Sequence, residues 1–207
     1  MTTVHEHGFA DFDDFVARTR PGMLARAVMY CGRREEAEDA VQEAYVAAFL
    51  HWGGLREPRA WVAQTMRRKF ARDAGRWWSR WRHTELELPA PAAAAPEEEA
   101  AAVAVLRTVA LLPPRQRQVL IMVCLEGLSY RQVSDEIGIS VGAVGANLVK
   151  ARQKLTVLLG LTPEPGDPGD PLVAASPAGT LIGDPLAGLL RRTESWLVAG
   201  FAEEAER

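Results

Sequence analysis

The sequence contains few of the residues that would indicate a secreted, membrane-spanning or metal-binding protein. Only two of its 207 residues are cysteine, Cys31 and Cys124, and each lies in an apolar stretch far from the other. We expect two buried thiols in a reducing cytoplasm, because a disulfide framework or a zinc site needs more cysteines or histidines at close spacing. No apolar run approaches the roughly 20 residues that cross a bilayer. The first residues are acidic and lack an apolar core, so we expect no secretory signal either.

Histidine is also scarce, with four residues in the whole chain. His5 and His7 stand in a terminal stretch that we expect to be disordered, without a carboxylate-bearing helix to pair with, and His51 and His83 are isolated. General acid–base catalysis needs a positioned partner for the proton it moves. The sequence therefore predicts a protein that is not an enzyme, with no catalytic residue, no bound metal and no cofactor.

The net charge of −3 conceals a strong separation of charge along the chain. Residues 56–82 hold nine bases and two acids, which gives +7, and residues 113–160 carry +3. The last segment, 161–207, carries −5. A local basic stripe can attract a polyanion even when the total charge is near zero. A solvated basic helix face would explain the same counts, so charge alone leaves both interpretations open.

Hydrophobic periodicity is helical throughout and predicts an all-α protein. The Ala- and Pro-rich segment 88–102 indicates a linker, and the four prolines of 162–171 must end any preceding helix. We expect two small helical domains joined by a flexible linker and followed by a C-terminal helical tail. The predicted boundaries are 8–86 for the first domain, 87–98 for the linker, 99–160 for the second domain and 161–207 for the tail.

The first domain contains patterns for three helices. Apolar residues from Phe12 to Met29 predict one helix that continues past Pro21. A second has an apolar stripe from Ala37 to Phe49 and acids on its opposite face, and Gly53 and Gly54 end it. The acids could equally form an ordinary solvated face.

The third helix of the first domain combines bases with aromatic residues. It is predicted to begin near Pro58, which suits a first helical turn, and to run to Trp81. Four of the six tryptophans lie in this helix among its bases. Bases indicate contact with phosphates, and interleaved aromatic rings offer surfaces on which unstacked bases can lie. Alternatively, Trp61 packs in the core and the later tryptophans seal the domain against its linker.

The second domain contains the sharper pattern. Ser129 is placed to cap a short helix, Gly138 supplies a left-handed turn position, and Ser140 is placed to cap a longer helix. Val133 and Ile137 form the predicted inner face of the first helix, and the apolar residues of the second helix also follow helical spacing. This arrangement predicts a helix-turn-helix, whose second helix enters the DNA major groove. A helical hairpin used only for packing is the less favoured alternative.

These segments together resemble a group IV, extracytoplasmic-function (ECF) RNA polymerase sigma factor, in the SigE-like actinobacterial branch. Residues 37–45 are similar to the family's polymerase-binding helix, and residues 58–73 to its helix that recognises and melts the −10 element. Residues 112–120 and 126–155 are similar to its −35-binding domain. The motifs occur in the family's order around the expected linker.

The resemblance implies a protein that binds core RNA polymerase and promoter DNA and directs promoter-specific initiation, including promoter melting. An anti-sigma factor is a further partner that the resemblance implies, and no membrane insertion is expected. The implied polymerase-binding residues are Glu38, Asp39, Gln42 and Glu43; those at the −10 element are Trp61, Arg67, Arg68, Lys69, Arg72, Arg76 and Trp77; those at the −35 element are Arg131, Ser140, Val141, Ala143, Asn147, Lys150 and Arg152.

A free-standing helix-turn-helix regulator is the alternative function. It would account for residues 112–155, but not for the acidic helix together with the basic aromatic helix. The tail also has two interpretations, since an apolar stripe follows 184–207. It could complete the second domain by packing, which we favour, or it could control access to the basic DNA surfaces.

The recognition helix departs from the family pattern, and this generates the first prediction. Gly145, Ala146 and Asn147 stand where the family has Lys, Ser and Arg or His, while Lys69 stands where it usually has Asn. Gly145 costs about 1 kcal/mol of helix stability relative to Ala, and lost cations remove phosphate contacts. We expect residues 99–160 alone to bind a −35 duplex weakly, and a nanomolar footprint at physiological salt would contradict this.

Overall fold

The computed structural model describes residues 8–81, 95–161 and 184–206, with only the backbone described over 73–81. Within these ranges the chain is helical without strands, which confirms the prediction of an all-α fold. No helix in the described ranges has the length and apolar character to cross a membrane. The helices are α1 (Phe12–Cys31), α2 (Arg34–Leu50), α3 (Pro58–Trp81), α4 (Pro96–Ala110), α5 (Pro114–Leu120), α6 (Tyr130–Ile137), α7 (Val141–Leu158) and α8 (Pro185–Ala205).

The described residues fall into two compact units. The first unit consists of residues 8–73 and 194–206, and the second of residues 74–81, 95–161 and 184–193. Helix α4 begins at Pro96, so the last three residues of the expected linker, 96–98, are helical. Three glutamates follow Pro96 in the first turn of α4, where the helix dipole favours negative charge.

The first unit is built on the packing of α1 along α2. Phe15 of α1 is fully buried, and Thr19 shares a 2.7 Å hydrogen bond with the phenol of Tyr45 on α2. Burial raises the pKa of Tyr45 to about 12, so the phenol keeps its proton at neutral pH. Pro21 lies inside α1 and the helix continues past it, as expected. The helix ends at Gly32, whose φ of 73° is the left-handed conformation that glycine adopts at low cost.

The second unit has a corner between α4 and α5 that a buried guanidinium closes. Arg117 donates hydrogen bonds to the carbonyl oxygens of Ala110 and Leu112, at 3.0 and 3.1 Å. The sequence predicts one helix from residue 114 through Met122, whereas the chain widens into a π-helical segment over Ile121–Leu125. In such a segment the donor lies five positions after the acceptor in sequence, and the bond from Glu126 N–H to the Ile121 carbonyl, 3.0 Å, shows this spacing.

A buried ion pair joins α7 to the start of α8 within the second unit. The guanidinium of Arg152 lies 2.8 Å from a carboxylate oxygen of Asp184, and both side chains are almost completely buried. The same guanidinium lies 3.7 Å from the sulfur of Cys124. Burial raises the pKa of the Cys124 thiol to about 12. Both cysteines are buried thiols, as expected from the sequence.

The tail helix α8 packs along its whole length. Its first half completes the second unit by burying Leu186 and Leu190, which agrees with the packing interpretation. Its second half belongs to the first unit instead, and there it buries Leu197 and Phe201. Glu194 accepts a 2.6 Å bond from Arg26. The tail therefore contributes to both units and not only to the second.

The ion pair of Arg152 generates the second prediction. Asp184→Ala removes the carboxylate and leaves a buried guanidinium uncompensated, so we expect a loss of about 3–5 kcal/mol in unfolding free energy. Urea denaturation measures this change. Asp135→Ala, at an exposed carboxylate of α6, is the matched control and should change stability by less than about 0.5 kcal/mol. Equal effects of the two substitutions would contradict the assigned role.

Candidate nucleic-acid interface

Helices α6 and α7 form the predicted helix-turn-helix, and local side chains fix its ends. Ser129 and Gln132 form a reciprocal capping box at the start of α6. Gly138, with φ of 69°, ends α6, and the Ser140 hydroxyl accepts a 3.1 Å bond from the N–H of Ala143 at the start of α7. Ser134 donates to the carbonyl of Ile139 at 2.6 Å, which ties the turn to α6. Every capping position named from the sequence is thus present.

The outward face of α7 begins with small and apolar residues. Val144, Leu148 and Ala151 are buried against the rest of the unit. Val141 is 48% exposed, Ala146 is exposed and Ala143 is half-buried. Asn147 uses its side-chain N–H to donate a 2.7 Å bond to the carbonyl of Ala143. The first charge on this face is Lys150, in the third turn of the helix.

Two of the three cations predicted at the −35 duplex are accessible. Arg131 on α6 and Lys150 on α7 are exposed and therefore free to meet phosphates. Arg152 is 5% exposed and is held by Asp184, so its predicted contact with DNA is corrected to a structural role. Arg152 directly follows the buried Ala151 in the sequence. The carboxylate that pairs with its guanidinium lies 32 residues further along the chain, so helical periodicity alone does not predict that Arg152 is buried.

Helix α3 carries the residues predicted at the −10 element, and its described part presents some of them outward. Arg68 and Arg72, one turn apart, are exposed on the same side of the helix. Trp61 is half-buried, with its ring centroid 5.8 Å from that of His51. Arg67 is buried, so its expected place on the DNA-facing surface is corrected. The side chains of Arg76 and Trp77 lie outside the described residues.

Lys69 forms an ion pair with Glu43 of α2, which joins two residues that the sequence analysis assigned to different partners. The lysine side chain is mostly buried, whereas the glutamate side chain is largely exposed. The positive charge of Lys69 is therefore already compensated by a carboxylate within the first unit.

The acidic residues predicted to face polymerase lie on the outer surface of α2. Asp39, Gln42 and Glu43 are exposed, while Glu38 is half-buried and accepts a 2.8 Å bond from Arg34. Arg34 also binds Glu204 of α8, and these two carboxylates raise its pKa.

Three apolar side chains that were not predicted as site residues continue this surface. Val46, Phe49 and Leu50 are more than half exposed, and Leu50 is 73% exposed. The prediction that Phe49 belongs to the buried apolar stripe of α2 is wrong. Its ring centroid nevertheless lies 5.1 Å from that of Phe12. The spacing of Val46 and Leu50 relative to Asp39 and Glu43 could have indicated them, because positions i, i+4, i+7 and i+11 share a helix face.

A groove of about 620 Å³ runs between α1 and α2 beside this surface. Its lining combines apolar residues, including Val16 and Val46, with Gln42 and Glu38. A second hollow of about 400 Å³ lies next to it, between Asp39 and Leu50. The outer surface of α2 is consequently both acidic and apolar, which suits a protein partner better than a nucleic acid.

Comparison with known families matches both units of the chain. Residues 15–81 match "Sigma-70 region 2", and residues 102–155 match "Sigma-70, region 4". The two matches together cover more than half of the chain, and they occur in the order that the sequence analysis expected.

The alignments with two relatives are longer than either of these family matches alone. The RNA polymerase sigma-E factor of Streptomyces avermitilis is 25% identical over 149 residues, which cover 70% of this chain and 83% of that protein. The ECF RNA polymerase sigma factor EcfG of Rhodopseudomonas palustris is 28% identical over 160 residues, covering 71% and 83%. Because relatives of similar identity come from two organisms, the actinobacterial branch stays a prediction.

A solved structure shares the fold. The sigma factor RpoE, in a co-crystal structure with the anti-sigma factor NepR from Bartonella quintana, has a TM-score of 0.54 and 21% identity. The alignment covers 74% of this chain and 99% of RpoE.

The Lys69–Glu43 pair generates the third prediction. In a double-mutant cycle of Lys69→Met and Glu43→Gln, we expect a coupling free energy of about 0.5–1 kcal/mol, because one partner is exposed and screened by solvent. Urea denaturation at low and high salt measures it, and the coupling should fall as salt rises. The control cycle pairs Lys69→Met with Asp39→Asn, on the same exposed face. Equal coupling in both cycles would mean that the pair is not specific.

Proposed function

The chain belongs to the sigma-70 family as an ECF sigma factor, and from this premise we propose which of its surfaces meet RNA polymerase and which meet promoter DNA. As a sigma factor it binds core polymerase and directs promoter-specific transcription initiation. We assign region 2 to residues 8–86 and region 4 to residues 99–160. One observation carries the assignment: the acidic, apolar face of α2 and the exposed Arg68 and Arg72 of α3 lie in one unit, and the helix-turn-helix lies in the other.

The outer surface of α2 is the proposed polymerase-docking surface. It consists of Asp39, Gln42 and Glu43 together with the exposed side chains of Val46, Phe49 and Leu50. Apolar side chains of this size rarely stand together on a surface without covering by a partner. The carboxylates around them would set the orientation of a basic partner, while burial of the apolar groups would supply affinity.

Helix α3 is the proposed helix for recognising the −10 element. Arg68 and Arg72 would contact the phosphates of the promoter strands. Trp61 and Trp77 would offer rings on which bases released from the duplex can stack. Melting by this route needs no chemistry of the sigma factor itself, because binding energy compensates for the unstacked bases. We therefore propose that the chain has no catalytic activity and that polymerase performs the reaction.

Helices α6 and α7 are proposed to bind the −35 element, with α7 in the major groove. Arg131 and Lys150 would hold the phosphates on either side, and Val141, Ala143 and Asn147 would approach the base edges. A free-standing regulator is not favoured, because it leaves the region 2 match over residues 15–81 without a role. The cytoplasm, where polymerase works, is the proposed location, and an anti-sigma factor is a proposed further partner.

Docking of polymerase on α2 generates the fourth prediction. Leu50→Ser removes an exposed apolar group, so we expect at least a tenfold loss of affinity for core polymerase and an unchanged melting temperature. Val157→Ser is the matched control, because Val157 is 79% exposed at the C-terminal end of α7. This substitution should leave the affinity for core polymerase unchanged. Co-purification and a binding titration with core polymerase measure both.

The complete assignment is tested by run-off transcription with core polymerase, the purified chain and a genomic promoter library. We expect initiation at a defined set of promoters, and Leu50→Ser should abolish it at limiting protein. A purified chain that neither binds polymerase nor changes its start sites would overturn the proposed function. Promoter binding without polymerase, at the same sites, would restore the free-standing regulator.

A further inference from the structure

The residues that α7 offers to the major groove are unusual in their chemistry. Positions 141–147 carry no charged side chain, and Asn147 is the only one among them with a polar side chain. The outward residues are Val141, Gly142, Ala143 and Ala146. A Cβ at Gly142 would meet open space, so packing does not require glycine there. The face is consequently smooth, and DNA can approach the helix backbone closely.

The hydrogen-bonding modes of base recognition that use a charged side chain are absent from this face. Guanine is read by Arg or Lys and cytosine by Asp or Glu, and none of these stands at 141–147. Adenine is read by a bidentate Asn or Gln. One side-chain N–H of Asn147 donates to the Ala143 carbonyl at 2.7 Å, and the Ser140 hydroxyl accepts the capping bond from Ala143 N–H, so both polar side chains are bonded to the first turns of α7.

The mode that suits the exposed apolar side chains of this face is contact with the C5-methyl group of thymine. We propose that Val141, assisted by Ala143 and Ala146, reads thymine methyl groups in the upstream promoter element. Val141 is the largest of these side chains and is 48% exposed at the N-terminal end of the helix, which penetrates deepest in a helix-turn-helix. This inference rests on the proposed function and adds the chemistry by which the second unit selects its sequence.

Charge on the same unit favours DNA over a protein as the occupant of this apolar face. Arg131 and Lys150 flank it and are exposed, one on each helix of the motif. The contacts to phosphate would fix the position of α7, and the methyl contacts would supply sequence preference. The specificity of this unit therefore depends on shape and methyl groups rather than on charge.

Removal of single methyl groups from DNA tests the proposal. Holoenzyme made with the full chain is titrated with promoter duplexes from the run-off library, in which one upstream thymine at a time is replaced by deoxyuridine. Uracil keeps every hydrogen-bonding group of thymine and lacks only the methyl. We expect three- to tenfold weaker binding at one or more upstream positions, and no change at thymines of the spacer.

Protein variants connect the effect to α7. Val141→Ala should reduce the penalty for uracil at its contacted position to less than twofold, while Val157→Ala should keep the full penalty. Melting temperatures verify that both variants fold. An upstream element without thymines, uracil penalties below twofold at every position, or a full penalty in Val141→Ala would overturn the inference while initiation stays promoter-specific. Absence of promoter-specific binding by the holoenzyme would instead overturn the proposed function and the inference together.

Discussion

The buried ion pair between Arg152 and Asp184 is the interaction on which the second unit depends. A guanidinium keeps its charge at any pH at which proteins fold, so a buried arginine must have a partner. Here the partner comes from the residue before α8, and the arginine comes from the helix that also presents the outward face of 141–147. The position of that face is thus tied to the tail, because α7 is a single rigid element. In this chain the first part of the tail helix, up to residue 193, belongs to the unit that carries the helix-turn-helix.

The pairing of Lys69 with Glu43 explains how a lysine is accommodated where the family usually has asparagine. A mostly buried ammonium requires a nearby carboxylate, and α2 supplies one from its outer face. The proposed polymerase-docking surface and the proposed −10 helix consequently share one ion pair. A partner that competes for Glu43 would change the charge that Lys69 presents to its surroundings.

The sequence was sufficient to predict features that local chemistry determines. The caps at Ser129 and Ser140, the left-handed Gly138 and the all-α fold need only nearby residues, and each is present. Burial was predicted less well, because it depends on neighbours far along the chain. Arg152 is buried by a residue 32 positions away, and Phe49 remains exposed because α2 has its core face turned toward α1. The widened turn at Ile121–Leu125 has no signal in the hydrophobic pattern, which continues through it.

Pro21 has an effect on the groove between α1 and α2. Proline has no N–H, so the carbonyl of Ala17, four residues earlier, does not receive the helical bond that every other residue type would donate. Ala17 also lines the groove, among side chains that are mainly apolar or acidic. The break in the main-chain hydrogen bonding of α1 therefore falls at a residue that lines the groove.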